Sequence, residues 1–357
     1  MIKKAYEGSV DYIQVLDEQG NVDLDLIPKE ITDEKIAEMY KQMLFARMVD
    51  AKAVNLQRLG RIATYAPLYG EEAVQIGSAM AMSDKDFFVP NFRQHAVFFN
   101  KGLPLETFFI YAKGYEEGMI VPKEMKAFPW IVPVSTQIPH AVGIAFAQKY
   151  KATGSAVVTY VGDGGTSEGN FYEGLNFAGV FKIPLVVIIE NNQWAISVPR
   201  SYQSAAQTLA QKGIAAGIKC IQVDGNDVIG VYKAVKDALE SARGNVPVIV
   251  EAVTYRLGMH TTSDDPSKYR DKSEEDEWKA KEPFIRLNKY LRSKGLWDDA
   301  RQAKAEQEFS AIIDQAIAKA DAFRPDPKSM FEHIYSFMPD VLEQQEAELE
   351  SNNFFVD

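Results

Sequence analysis

The chain has 357 residues, 46% of them hydrophobic and 25% charged, the composition of a folded globular protein with one large or two modest domains. A formal charge of −11 opposes a nucleic-acid or anionic-membrane surface, and no run approaches the ~18 uninterrupted apolar residues of a membrane span. One cysteine, Cys220, excludes an intrachain disulfide framework; with an N-terminus lacking the apolar run of a signal peptide, this points to a cytoplasmic protein.

Residues 11–27 alternate around a Gln-Gly-Asn turn and read as a small hairpin. Thr32 is placed to cap a long helix that Gly60 stops, with Met39, Met43, Ala46, Val49 and Ala53 on its apolar face. Strands and helices then alternate. Strands are expected at 86–90, 155–163, 183–192 and 247–256, with Cys220 in a further strand, and helices at 138–150, 168–181 and 227–243. Continuous apolar strands between helices indicate a parallel sheet covered on both faces, a doubly wound α/β fold. Residues 272–350 are charged and helical. The expected organisation is a hairpin and long helix over 1–60, an α/β domain over 61–271 and a helical extension over 272–357.

Ligands of doubly wound sheets sit beyond the carboxyl ends of the strands. Two ends carry the right chemistry: Gly162-Asp163-Gly164-Gly165 and Asn191-Asn192. The 26 residues between Gly164 and Asn191 suffice for one helix and the returning strand, which brings the two ends side by side. Asp163 supplies one hard oxygen and the asparagines an amide oxygen, as a Mg²⁺-diphosphate group requires. Bare glycine backbone and the N-terminus of the helix from Glu168 suit the phosphates. Either motif alone is an ordinary turn; the pair, one βα unit apart, carries the inference. A nicotinamide oxidoreductase or a Mg²⁺-nucleotide module is the alternative of another class. Its glycine spacing is met only loosely, and no G-K-[ST] follows the loop.

The spacing resembles the thiamin diphosphate motif, GDG followed some 26–30 residues later by NN. Beyond it, "GRIATYAPLYGEEAVQIGSA", "PNFRQHA", "VSTQIPHAVGIA", "ENNQWAIS", "VDGNDV" and "TYRLGMHTTSDDPSKYR" resemble the α-subunit of the decarboxylating first component of 2-oxo acid dehydrogenase complexes, over roughly residues 33–300. The resemblance implies a transketolase-like fold and thiamin diphosphate with Mg²⁺ as cofactors. Asp163, Asn192 and the Trp194 carbonyl become metal ligands. Gly162, Gly164, Gly165 and Ala195 line the diphosphate, with Phe92, Arg93, Arg256 and His260 around it and the Val132 and Val134 segment against the aminopyrimidine. Phe92 stands where the family usually has Tyr, a lost hydroxyl contact of roughly 1 kcal/mol. Thr136 and Gln137 resemble a potassium site of branched-chain members, although Ile131 replaces its usual Ser. Thr261 aligns with a serine phosphorylated in mitochondrial relatives.

His260 follows a strand at the same sheet edge as Asp163, where an imidazole, neutral or protonated, donates to phosphate or assists proton transfer; it is the catalytic candidate. His95 lies two residues past Arg93 and is more simply a core residue, while His140 and His333 take the ordinary surface reading. The carboxylate that activates the cofactor is missing here. By resemblance it belongs to a β-subunit in a heterotetramer of two α and two β chains, which passes its acyl product to a lipoyl-bearing acyltransferase. The substrate is a small 2-oxo acid, with a branched-chain acid favoured over pyruvate or an acetoin-type substrate.

Overall fold

The computed structural model describes residues 1–326 and 328–351. The first elements are β1 (Asp11–Ile13), α1 (Asp33–Arg58), α2 (Glu72–Ala81), β2 (Phe87–Val89), α3 (His95–Asn100) and α4 (Leu105–Ala112). Then come α5 (Gln137–Tyr150), β3 (Val157–Gly162), α6 (Gly169–Phe181), β4 (Leu185–Asn191), a ribbon of β5 (Trp194–Ala195) and β6 (Val198–Pro199), and α7 (Arg200–Gln203). The last are β7 (Lys219–Asp224), α8 (Val228–Arg243), β8 (Val248–Val253), α9 (Lys272–Ala280), α10 (Pro283–Ser293), α11 (Asp299–Ala322), α12 (Ser329–Glu332) and α13 (Asp340–Ser351). Residues 352–357 of the expected extension, and Pro327, lie outside the described residues.

Six strands form one parallel sheet in the order β1-β7-β8-β4-β3-β2. Its central strands are apolar on both sides because both sides are covered. Val158, Tyr160, Val186, Ile188 and Val250 join one core with α8, where Val231, Val235 and Ala238 point inward. The alternate residues Val157, Val161, Val187, Ile189 and Ile249 join another with Ile138 and Ala141 of α5 and Phe171 and Leu175 of α6. This is the doubly wound arrangement expected from the sequence.

The caps explain where helices begin. The Thr32 hydroxyl accepts from Lys35 N at 3.3 Å and opens α1, whose Met39, Met43, Ala46, Val49 and Ala53 are all buried. Asp227 opens α8 by accepting from Ile229 N and Gly230 N at 3.0 and 2.9 Å. Its other oxygen accepts from Val15 N and Leu16 N at 2.6 and 2.8 Å, tying the start of the chain to this helix.

The expected 11–27 hairpin does not form as such. Asp11–Ile13 pairs in parallel with Ile221–Val223, and the local turn retains only a bridge between Leu16 and Val22. The edge of β7 and the Asp227 carboxylate take the backbone groups that a hairpin would have paired. At the other end, Arg286 of α10 is buried and donates to Asp224 Oδ2 at 2.6 Å and to Leu16 O at 3.1 Å, fastening the C-terminal helices to the sheet. Among the described residues no helix is long and apolar enough to cross a membrane.

Candidate functional site

The register places Gly162 beside Glu190, and Glu190 beside Ala252, so the turns after β3, β4 and β8 share one edge. A cleft of about 410 Å³ opens there. Gly162, Asp163, Gly164 and Gly165 come from the first turn; Asn192, Trp194 and Ala195 from the second; Phe92, Arg93, Val134 and His260 from the surrounding loops. Val132 is exposed and stands outside this lining, and Arg256 lies buried behind it.

Asp163 is 1% exposed, and its Oδ2 has no partner among the described residues. Burial pushes its carboxyl up to about 7, against the pull of Arg256. A buried, unpaired carboxylate is unfavourable without a cation, so this atom fits a metal ligand. Asn192 is held at both ends of its amide: Nδ2 donates to Glu71 Oε1 at 2.9 Å, and Oδ1 accepts from Trp194 N at 3.3 Å. The Trp194 carbonyl accepts from Arg256 Nη1 at 2.9 Å.

The glycines have a packing reason as well as a chemical one. A Cβ on Gly164 would stand 2.5 Å from that of Ala195, and one on Gly165 would meet Val161 at 2.5 Å and Ser135 Oγ at 2.9 Å. A Cβ on Gly162 would meet nothing within 4 Å. Ser135, Gln193 and Ile196 all take left-handed backbone conformations, with φ of 64°, 72° and 55°. For β-branched Ile196 this stores roughly 1–3 kcal/mol. Arg256 Nη2 grips its carbonyl at 2.7 Å, which keeps this exposed apolar side chain against the cleft.

His260 resolves the protonation left open by the sequence. Arg93 Nη2 stands 3.2 Å and Arg256 Nη1 3.4 Å from its Nδ1. Two guanidinium donors make Nδ1 an acceptor, which leaves the proton on Nε2 of a neutral ring. Burial, then Arg93 and Arg256, push this imidazole down to about 3. The loop is fixed by His260 N donating to Asp264 at 2.8 Å, and Phe92 meets the ring edge-on at 5.8 Å.

Residues 40–328 match the family described as the dehydrogenase E1 component. The chain belongs to this family. The "Pyruvate dehydrogenase E1 component subunit alpha" of Staphylococcus aureus (strain Mu50 / ATCC 700699) is 40% identical over 343 residues, covering 95% of this chain and 92% of that protein. The protein of the same name from Staphylococcus epidermidis (strain ATCC 12228 / FDA PCI 1200) is 39% identical with the same coverage. This E1 chain is thus an α-subunit of a pyruvate dehydrogenase-type 2-oxo acid dehydrogenase; membership implies thiamin diphosphate, a β-subunit and partners in a complex.

Around the E1 site, two carboxyls escaped the sequence reading. Glu71 and Glu190 are buried, line the cleft, and each has one oxygen without a partner among the described residues. Burial, then repulsion from Glu71, holds the Glu190 carboxyl well above the usual carboxylate range. An acid closing an otherwise apolar strand, "LVVIIE", is the signal that would have found it. His95 is not part of the site. It is buried against Tyr65, Phe108 and Trp130, with ring centroids at 5.2, 5.1 and 5.9 Å. Gln137 Nε2 donates to Tyr160 O at 2.7 Å and Thr136 Oγ1 to Pro133 O at 2.8 Å; Gln137 Oε1 is unpaired among the described residues. His140 Nδ1 lies 2.7 Å from Thr136 O, on the exposed side of α5.

Proposed function

We propose that this chain, assembled with a β-subunit, holds Mg²⁺-thiamin diphosphate and decarboxylates pyruvate, passing the acyl group to a lipoyl-bearing acyltransferase. The buried Asp163 Oδ2, without a partner among the described residues and lining one cleft with Asn192 and Trp194, carries this reading. No cluster of three or more His, Cys, Asp or Glu side chains able to hold a metal occurs among the described residues. A mixed set of one carboxylate, one amide and one carbonyl, completed by diphosphate oxygens, suits Mg²⁺. The Gln137 Oε1 atom is the donor a potassium ion would take.

When bound, thiamin diphosphate supplies the carbanion equivalent that cleaves the bond to the carboxylate carbon. The chain's own part is to bind, orient and exclude water. The turn from Gly162 to Gly165 offers close backbone approach, and Arg93 and Arg256 give positive charge to the diphosphate end. Burial, reinforced by their charge, keeps His260 neutral, so its Nε2–H donates rather than attracts as a cation. This suits it to orient a phosphate oxygen or an acyl acceptor, and we assign it that catalytic role. Phe92, Ala195 and the backbone near Val132 and Val134 complete the cofactor's surroundings. Phe146, Phe177, Val180 and Phe181 on α5 and α6 are at least 37% exposed, an apolar face that supports a β-subunit contact.

The motifs alone lean toward a branched-chain acid, whereas the relatives described above are pyruvate enzymes, and we follow the relatives on substrate. The test is kcat/KM of the purified α–β complex with pyruvate against 3-methyl-2-oxobutanoate. A preference for pyruvate of tenfold or more is expected. A preference of that size for the branched acid overturns the pyruvate assignment. Failure to retain thiamin diphosphate in the presence of Mg²⁺ overturns the cofactor reading itself.

A further inference from the structure

Glu71 stands at the start of α2, fully buried and lining the cleft. Its Oε1 accepts from Asn192 Nδ2 at 2.9 Å and lies 3.6 Å from Arg93 Nε. One oxygen therefore faces both an amide assigned to the metal and a guanidinium assigned to the diphosphate. An asparagine amide is ambiguous by itself, because a half-turn about its last bond exchanges an acceptor for a donor. Trp194 N fixes Oδ1 only through a long 3.3 Å contact, so the shorter bond to Glu71 decides the orientation. Turned over, Asn192 would present N–H groups where a cation needs oxygen.

We propose that Glu71 is a positioning residue that sets the Asn192 amide with its oxygen toward the metal and holds Arg93 in register with it. This rests on the Mg²⁺-thiamin diphosphate reading above. The role needs an acceptor at Oε1 and not a negative charge. A glutamine there keeps the acceptor and turns its amide N–H groups toward the Glu190 carboxyl, whose Oε1 has no partner among the described residues.

The test uses the α–β complex with Glu71→Gln and Glu71→Ala, titrated with thiamin diphosphate and Mg²⁺ by calorimetry, alongside melting without cofactor. Glu71→Gln is expected to bind within about threefold of wild type. Glu71→Ala is expected to weaken Mg²⁺-dependent binding by about 10- to 100-fold, within the range for a buried amide donor left without its acceptor. If the alanine variant fails to assemble, Glu71→Leu fills the space without an acceptor and carries the same expectation. In an Asn192→Ala background, loss of Glu71 should add much less than it does alone. Wild-type affinity in Glu71→Ala or Glu71→Leu overturns the proposal, as does a glutamine variant as weak as the alanine one, or full additivity with Asn192→Ala. Wild-type affinity in Asn192→Ala itself would instead overturn the underlying metal reading.

Discussion

His95 should make this chain sensitive to mild acid. It is 2% exposed, neither ring nitrogen has a side-chain or backbone partner in good geometry among the described residues, and three aromatic rings surround it. Burial and then the Arg93 charge push the imidazole down to about 3, against a weaker opposing contact from the Ala66 backbone. The unfolded chain takes up this proton near pH 6.5 while the folded chain refuses it until about pH 3. The folded pKa is depressed, so the contribution is present above pH 6.5 and is lost as pH falls below it. Between pH 7 and pH 5 one such group removes roughly 2 kcal/mol of stability. His260 acts with the same sign, so the comparison must isolate His95. His95→Phe keeps an aromatic ring of similar size in the same box and removes the titration. Apparent melting temperatures of wild type and His95→Phe, followed by fluorescence between pH 7.5 and 5, should diverge, with the variant losing less on acidification. Parallel lines for the two proteins would refute the reasoning.

Asp163→Ala should abolish Mg²⁺-dependent retention of thiamin diphosphate and at the same time raise the melting temperature of the cofactor-free protein, since it removes a buried carboxyl oxygen that lacks a partner among the described residues, a cost of about 1–3 kcal/mol. Unchanged calorimetric affinity would refute the assignment. The two neighbouring glycines should separate: Gly164→Ala forces its Cβ against that of Ala195 and should cost about 1–3 kcal/mol in thermal unfolding, while Gly162→Ala meets nothing and should melt like wild type. Equal losses in both would show that packing does not distinguish them.

Much of the site was legible because one βα unit fixes which strand ends become neighbours. Once Gly162 and Asn192 were assigned to successive parallel strands, their juxtaposition followed from register. Glu71 was hidden because the sequence pattern marked no helix over 72–81, and only tertiary packing shows that this acid is buried. The left-handed turn at Ile196 leaves no trace in composition, since a β-branched residue is the last choice for that conformation. The 11–27 segment was misread for a different reason. Alternation specifies a strand with one buried face, but the same alternation serves a neighbour ten residues away or one two hundred residues away.

That last distance has a consequence for the order of folding. Val15 and Leu16 find the Asp227 carboxylate 212 and 211 residues further on, and β1 pairs with β7 at the sheet's edge. Residues 11–13, and the amides of Val15 and Leu16, leave the ribosome early and must wait until the chain has been synthesised past Asp227 before those groups can be paired. Until then the Asp11–Ile13 strand is unpaired on a tether, available to other nascent chains. The opposite edge, from β2 through β3 to β4, is complete once residue 191 has emerged, so the half carrying Arg93, Asp163 and Asn192 can assemble first. The wall built by His260 and Arg256, and the closing strand β1, come last.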